Sequence, residues 1–429
     1  MVSSVSLAAD GVLRGKVKVP PSKSYTHRAV IAASLCRGKS RVYNPLVSRD
    51  TKATLYACRA MGADLEESEG GVTVVGSKPH ASDKIVNVEN SGTTLRFMTS
   101  VFALAPRGFT TLTGDASIRK RPMQGLLDAL TKLGANARSS LGNGCAPIVV
   151  GEGGMNGGNV EMRGDVSSQF VSSILISAPL ARGDSKLRVL HAVSRPYVEA
   201  TLRLLSLHGA KIERDGTFLF GIRGGQEYNG RDFTVPADFS SAAFVMGAVA
   251  LVGGEVELPG LVASLPQGDS AIVDILRRLG VSVDERADSI IVRGDGRGLA
   301  GGTFELTDSP DLVPILSVLS LKCDSPLEIK GVAHARFKES DRIGATVEGL
   351  RMMGAEVEEM NDGLRAVKPH SINSTVLDAR DDHRMFMSFA VASLLAPGRV
   401  RVTGAESLDV SYPKFLDDME TLGIRSVKT

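Results

Sequence analysis

In Met123-Gln124-Gly125-Leu126-Leu127-Asp128-Ala129-Leu130-Thr131-Lys132-Leu133-Gly134-Ala135, apolar side chains recur at Met123, Leu126, Leu127, Leu130 and Leu133. That is the i, i+3, i+4 spacing of a helix with one buried face, and Gly134 supplies the left-handed residue that ends it. The same setting returns at Gly62, Gly209, Gly280, Gly354 and Gly423, at intervals of 69 to 75 residues along the whole chain. A second series keeps the same beat and opens an apolar run each time: Ser22-Lys23-Ser24, Ser91-Gly92-Thr93, Ser167-Ser168-Gln169, Phe239-Ser240-Ser241, Ser309-Pro310-Asp311 and Asp382-His383-Arg384. A fixed period of this kind means one structural unit copied six times.

Each copy carries an apolar helix, short strands, a second amphipathic helix ending at its Gly, and a hairpin pattern with turns such as Glu69-Gly70-Gly71, Asp215-Gly216 and Asn361-Asp362-Gly363. The expected fold class is α/β, with six βαββαβ repeats. A chain of 429 residues should divide these into two domains of three repeats each. The boundary is expected near Thr234-Val235-Pro236, giving one domain of residues 20–235 and a discontinuous one of residues 1–19 with 236–429. The strand-like segment Val2 to Val19 completes the second.

Composition removes several function classes. Fifty basic and 48 acidic residues leave a formal charge of +2, so no general field attracts nucleic acid and any anion site must be local. The four cysteines, Cys36, Cys58, Cys145 and Cys323, form no CxxC pair, which predicts a reducing compartment and no zinc. The start of the chain lacks a basic and apolar leader pattern, and the longest apolar stretch, around Phe244 to Val252, is far short of the ~20 residues that span a bilayer. The expectation is a cytoplasmic monomer without membrane, nucleic-acid, metal or cofactor partners.

The openings of the first helices hold the chemistry. A helix start exposes unpaired N–H groups and about half a positive charge, so it favours anions. Ser, Asp and Gly there serve equally as simple N-caps. Six cations near these openings, Lys23, Arg28, Arg121, Lys338, Arg342 and Arg384, tilt the reading toward substrates with several negative charges, because guanidinium forks match phosphate and carboxylate. Asp311 and Glu339 stand among them. They read as ion-pair partners or as groups that move protons, and His383 reads as a cap, a core residue or a catalytic group.

These stretches resemble the enolpyruvyl transferases, and within that family the branch acting on shikimate 3-phosphate. The motifs are Pro20-Pro21-Ser22-Lys23-Ser24-Tyr25-Thr26-His27-Arg28, Asn90-Ser91-Gly92-Thr93-Thr94-Leu95-Arg96, Arg121-Pro122, Ser167-Ser168-Gln169, Ser194-Arg195-Pro196-Tyr197, Lys338-Glu339-Ser340-Asp341-Arg342 and Asp382-His383-Arg384-Met385. The resemblance implies two inside-out α/β domains, each with three repeats around a pseudo-threefold axis, that close on their ligands. It implies transfer of the enolpyruvyl group from phosphoenolpyruvate to the 5-hydroxyl of shikimate 3-phosphate, in the interdomain cleft and without a metal.

Position by position, the resemblance assigns phosphoenolpyruvate to Lys23, Gly92, Arg121, Gln169, Arg342 and Arg384. Shikimate 3-phosphate goes to Lys23, Ser24, Arg28, Ser167, Ser168, Gln169, Ser194, Asp311 and Lys338. Proton transfer is shared among Lys23, Asp311, Glu339 and His383. The chain departs from the family at His334, where many members have Asn, and at Val410, where some have Lys. The sister activity on a UDP-amino sugar needs a Cys shortly before Arg121-Pro122, and Gly114 to Lys120 contains none. A non-catalytic repeat scaffold accounts for the period but not for the acids and cations at the openings.

Overall fold

The computed structural model describes residues 4–216 and 218–428, so Met1, Val2 and Ser3 of the N-terminal segment lie outside the described residues. Two compact units emerge from the packing: Pro21–Val235, and Pro236–Thr429 joined by Met1–Pro20.

The first helix of each repeat is buried on nearly every side. Phe239–Val252 exposes little beyond Val252, and all eleven residues of His383–Ser393 are buried. Lys23–Ser34, Gly92–Phe102 and Ser168–Ser177 are covered almost as fully, and in the fifth repeat a turn at Pro310–Leu312 leads into Val313–Leu319. Helices apolar all round belong in a core. The second helices bury one stripe, as in Gln124–Lys132, where Leu126, Leu127, Ala129 and Leu130 point inward. All six terminating glycines have φ between 82° and 113°, the left-handed region that a side chain with Cβ adopts only with strain.

Among the described residues, six four-stranded sheets lie around these helices, three per unit, with one shared plan. In the second repeat Val86–Asn87 runs parallel to Phe109–Thr113, which pairs antiparallel with Ile148–Gly151, and that strand with Asn136–Ser139. Strands such as Ser185–Leu190 alternate buried and exposed positions, so the sheets keep one face on the helices and one in solvent.

The order within a repeat is strand, helix, strand, helix, strand, strand, and this corrects the expected βαββαβ order. A single strand joins the two helices in the second to sixth repeats, because a parallel neighbour needs a helical crossover. The antiparallel pair needs only a tight turn and follows the Gly.

Among the described residues, three sheets are completed by distant chain. Phe233–Thr234 supplies the parallel edge for Lys39–Tyr43 in the first repeat. The N-terminal segment serves two sheets: Leu13–Lys16 lies parallel to Gly254–Pro259, and Val5–Ala9 inserts between Val400–Thr403 and Ile424–Lys428. Val5 and Leu7 enter the core of that unit. Leu7→Ala should therefore destabilise the Pro236–Thr429 unit by about 2–4 kcal/mol, measured as a lower urea midpoint.

Candidate active site

In the Pro21–Val235 unit the polar groups gather where the buried helices begin. Lys23 is the first residue of its helix, and its ammonium lies 3.0 Å from Asp50 Oδ2, at the start of the second helix Arg49–Ala60. Asp50 is a residue the sequence reading passed over. It was legible only as an N-terminal acid on what was read as an ordinary packing helix. Beneath this pair a buried chain of contacts ties three helices together: His27 Nδ1 to Thr54 Oγ1, Thr54 Oγ1 to Thr94 Oγ1, and Thr94 Oγ1 to Ser91 Oγ, each at 2.6 Å. Burial, with Lys23 and Arg28 nearby, pulls His27 well below the ordinary histidine range, so its ring stays neutral there.

Gly92 opens its helix beneath the Arg121 guanidinium. A Cβ at Gly92 would come within 2.7 Å of Arg121 Nη1, so only Gly lets this cation approach the unpaired N–H groups of the helix start. Arg121 donates to Asn90 Oδ1 at 2.7 Å. Gln169 bridges two repeats, accepting from Arg96 at 2.7 Å and donating to Thr93 Oγ1 at 2.9 Å. The Ser167 side chain caps the Ser168 helix by accepting from Gln169 N, and buried Ser194 holds a left-handed backbone at φ 51°.

Arg28 is 2% exposed. It donates to Thr201 Oγ1, Ser24 O and Tyr197 O, and its guanidinium carbon lies 5.1 Å from the Phe97 ring and 6.0 Å from the Tyr197 ring. Burial lowers its pKa to about 10, against the opposing tyrosines, so the cation persists at neutral pH with two of its five N–H groups left to offer.

In the other unit Arg342 is the centre. Its side chain is 1% exposed, and it donates to Asp382 through Nε at 2.8 Å and Nη2 at 3.1 Å, to Asp311 at 2.7 Å and to Glu339 at 2.7 Å. Asp382 is fully buried, accepts from Ser340 Oγ at 3.0 Å, and caps its helix by accepting from Arg384 N at 2.9 Å. Asp311 also meets Arg384 at 3.1 Å and Lys338 at 3.4 Å. Burial alone would raise the Asp311 pKa, but Arg384, Lys338 and Arg342 outweigh it and hold the carboxyl well below the usual range. Burial likewise disfavours the Arg342 charge, and Asp382, Glu339 and Asp311 more than restore it.

Of the residues expected here, Asp311, Lys338, Glu339, Arg342 and Arg384 thus form one connected cluster. His383 is buried, with Nδ1 3.9 Å from Asp382 Oδ1. Asp382, quoted in the sequence only as part of a motif, turns out to organise both arginines. No group of three or more His, Cys, Asp or Glu suited to a metal occurs among the described residues, and no described helix is long and apolar enough to cross a membrane.

The family model described as EPSP synthase (3-phosphoshikimate 1-carboxyvinyltransferase) matches residues 7–419. Proteins named 3-phosphoshikimate 1-carboxyvinyltransferase from Methanocaldococcus jannaschii and Methanocorpusculum labreanum are 41% and 42% identical to the chain, over 96% of it and 96% of each of them. The solved EPSP synthase of Acinetobacter baumannii superposes with a TM-score of 0.83 over 100% of both chains, at 27% identity.

Two outcomes follow from the Arg342 cluster. Asp382→Ala should cost about 3–5 kcal/mol in a urea titration, because it removes the carboxylate that meets Nε and Nη2 of a buried guanidinium. The depressed folded pKa of Asp311 means that its stabilising part is present above its unfolded value, near pH 4, and disappears on acidification below that. Asp311→Asn should therefore flatten the acid limb of the unfolding midpoint against pH.

Proposed function

The chain belongs to the EPSP synthase family, and from that premise we propose that it transfers the enolpyruvyl group of phosphoenolpyruvate to the 5-hydroxyl of shikimate 3-phosphate, releasing inorganic phosphate. The observation that carries this reading is the carboxylate of Asp311 held among Lys338, Arg342 and Arg384. It is an acid that the surrounding cations keep ionised, and those cations are themselves suited to phosphate and carboxylate.

The reaction divides into addition and elimination. The attacking hydroxyl oxygen bonds to C2 of phosphoenolpyruvate and gives up its proton, while the methylene carbon gains one to become a methyl group. Phosphate then leaves as the methyl group returns a proton and the double bond re-forms. In the free protein Asp311 is a weak base, because three cations stabilise its charge. When substrate anions draw Lys338 and Arg384 to themselves, that stabilisation falls and Asp311 becomes able to accept the hydroxyl proton. Glu339 or Lys23 delivers the proton to the methylene carbon. Arg342 is better placed to hold Asp311 and Glu339 than to reach a ligand, since each of its nitrogens already donates to a carboxylate.

In the Pro21–Val235 unit, the Gly92 helix opening with Arg121, Gln169 and Lys23 supports binding of phosphoenolpyruvate. Ser24, Arg28, Ser167, Ser168, Gln169 and Ser194 support binding of shikimate 3-phosphate through hydroxyls, an amide and two remaining guanidinium N–H groups.

Phosphate release that depends on both substrates tests the assignment, and release with neither or only one of them would sink it. Lys23→Met should lower turnover at least about a hundredfold, with a modest fall in stability because Asp50 loses its partner. Gly92→Ala should leave the fold intact and raise KM for phosphoenolpyruvate, since the added methyl displaces Arg121. An unchanged KM would remove Arg121 from that role.

A further inference from the structure

The reaction as read gives no task to Asp269, a 1% exposed carboxyl in the Gly268–Ala271 turn. Its Oδ2 is hydrogen-bonded to Ser240 in the first turn of Phe239–Val252, whereas its Oδ1 is buried without a hydrogen-bond partner. An ionised carboxyl so placed is heavily disfavoured, and such groups keep their proton instead.

The charged groups facing it come from three neighbouring elements: Asp311 from the Pro310–Leu312 turn, Arg384 from His383–Ser393, and Asp238 from the N-cap of Phe239–Val252. Ser309 Oγ donates to Gly268 O at 2.7 Å, which fastens the turn carrying Asp269 to the segment carrying Asp311. Burial and the charge of Asp311 raise the Asp269 pKa to about 7, although Arg384 pulls the other way. The unit sets five acids, Asp238, Asp269, Asp311, Glu339 and Asp382, against Lys338, Arg342 and Arg384. A proton on Asp269 lessens that excess where an anionic substrate has to approach.

We propose that Asp269 is a positioning residue whose retained proton keeps Arg384 turned to Asp311 and the incoming anion, and whose loss draws Arg384 inward and weakens binding of phosphoenolpyruvate. This rests on the function proposed above. The test therefore includes a measurement that needs no reaction.

Asp269→Asn keeps the shape and the Ser240 contact without an ionisable group. In wild type, KM for phosphoenolpyruvate should rise at least about threefold between pH 6 and pH 8.5 beyond any rise in Asp269→Asn. At pH 6 the two should agree, whereas Asp269→Ala, which also loses the Ser240 contact, should bind more weakly at both pH values. Without substrates, thermal unfolding reads the proton directly. The folded pKa lies above the unfolded one, so wild type loses stability relative to Asp269→Asn as pH climbs from about 4 to about 7, and the Tm gap opens over that window. A Tm gap independent of pH, parallel KM profiles, or an Asp269→Asn chain that fails to fold would each overturn the proposal. A gap that opens as expected in a protein with no phosphate release at any pH would overturn the reaction and leave the proton on Asp269 standing.

Discussion

A helix buried on every side can place unpaired charge only at its ends. The flanks of Phe239–Val252 and His383–Ser393 are packed against apolar neighbours, and polar flanking groups elsewhere are bonded within the protein, such as Ser100 to Ser173 O, Ser173 to Arg96 O and Arg28 to Thr201 Oγ1. Desolvation excludes unpaired charge from such surroundings. The helix starts remain, with their unpaired N–H groups and positive dipole ends, and copying the unit sets three such starts into each half of the molecule.

The two units answer this constraint with different charge. Around Lys23, Arg28, Arg96 and Arg121 the partners are mostly neutral, Asn90, Gln169, Thr201 and backbone carbonyls, with Asp50 the acid that meets Lys23. In the other unit Arg342 and Arg384 stand among carboxylates that compete with any ligand for the same guanidinium groups. Such a network is stable only while every member is paired.

The N-terminal segment shows how completion of sheets governs the chain's route. In the sixth repeat the place of the second hairpin strand, beside Ile424–Lys428, is taken by chain from the other end of the sequence. Val5–Ala9 fills that place, and Leu13–Lys16 then supplies the edge of the fourth sheet. An open sheet face between Val400–Thr403 and Ile424–Lys428 would expose the backbone groups and the Val402 and Ile424 side chains that Val5–Ala9 now covers.

The sequence by itself determined the repeat, the buried and half-buried helices, the stopping glycines and the cations at the helix openings, because these follow from local periodicity, backbone conformation and residue chemistry. It did not give the single strand between the helices, since apolar alternation marks a strand without naming its neighbour. Tertiary structure alone decided that Asp50 would meet Lys23, that Asp382 would anchor Arg342, that His383 would be sealed in, and that Asp269 would lie beside Asp311. Those pairings join residues 27 to 42 positions apart or rest on burial. The physical reason is that a charge takes its value from whatever surrounds it, and the surroundings exist only once the helices have packed.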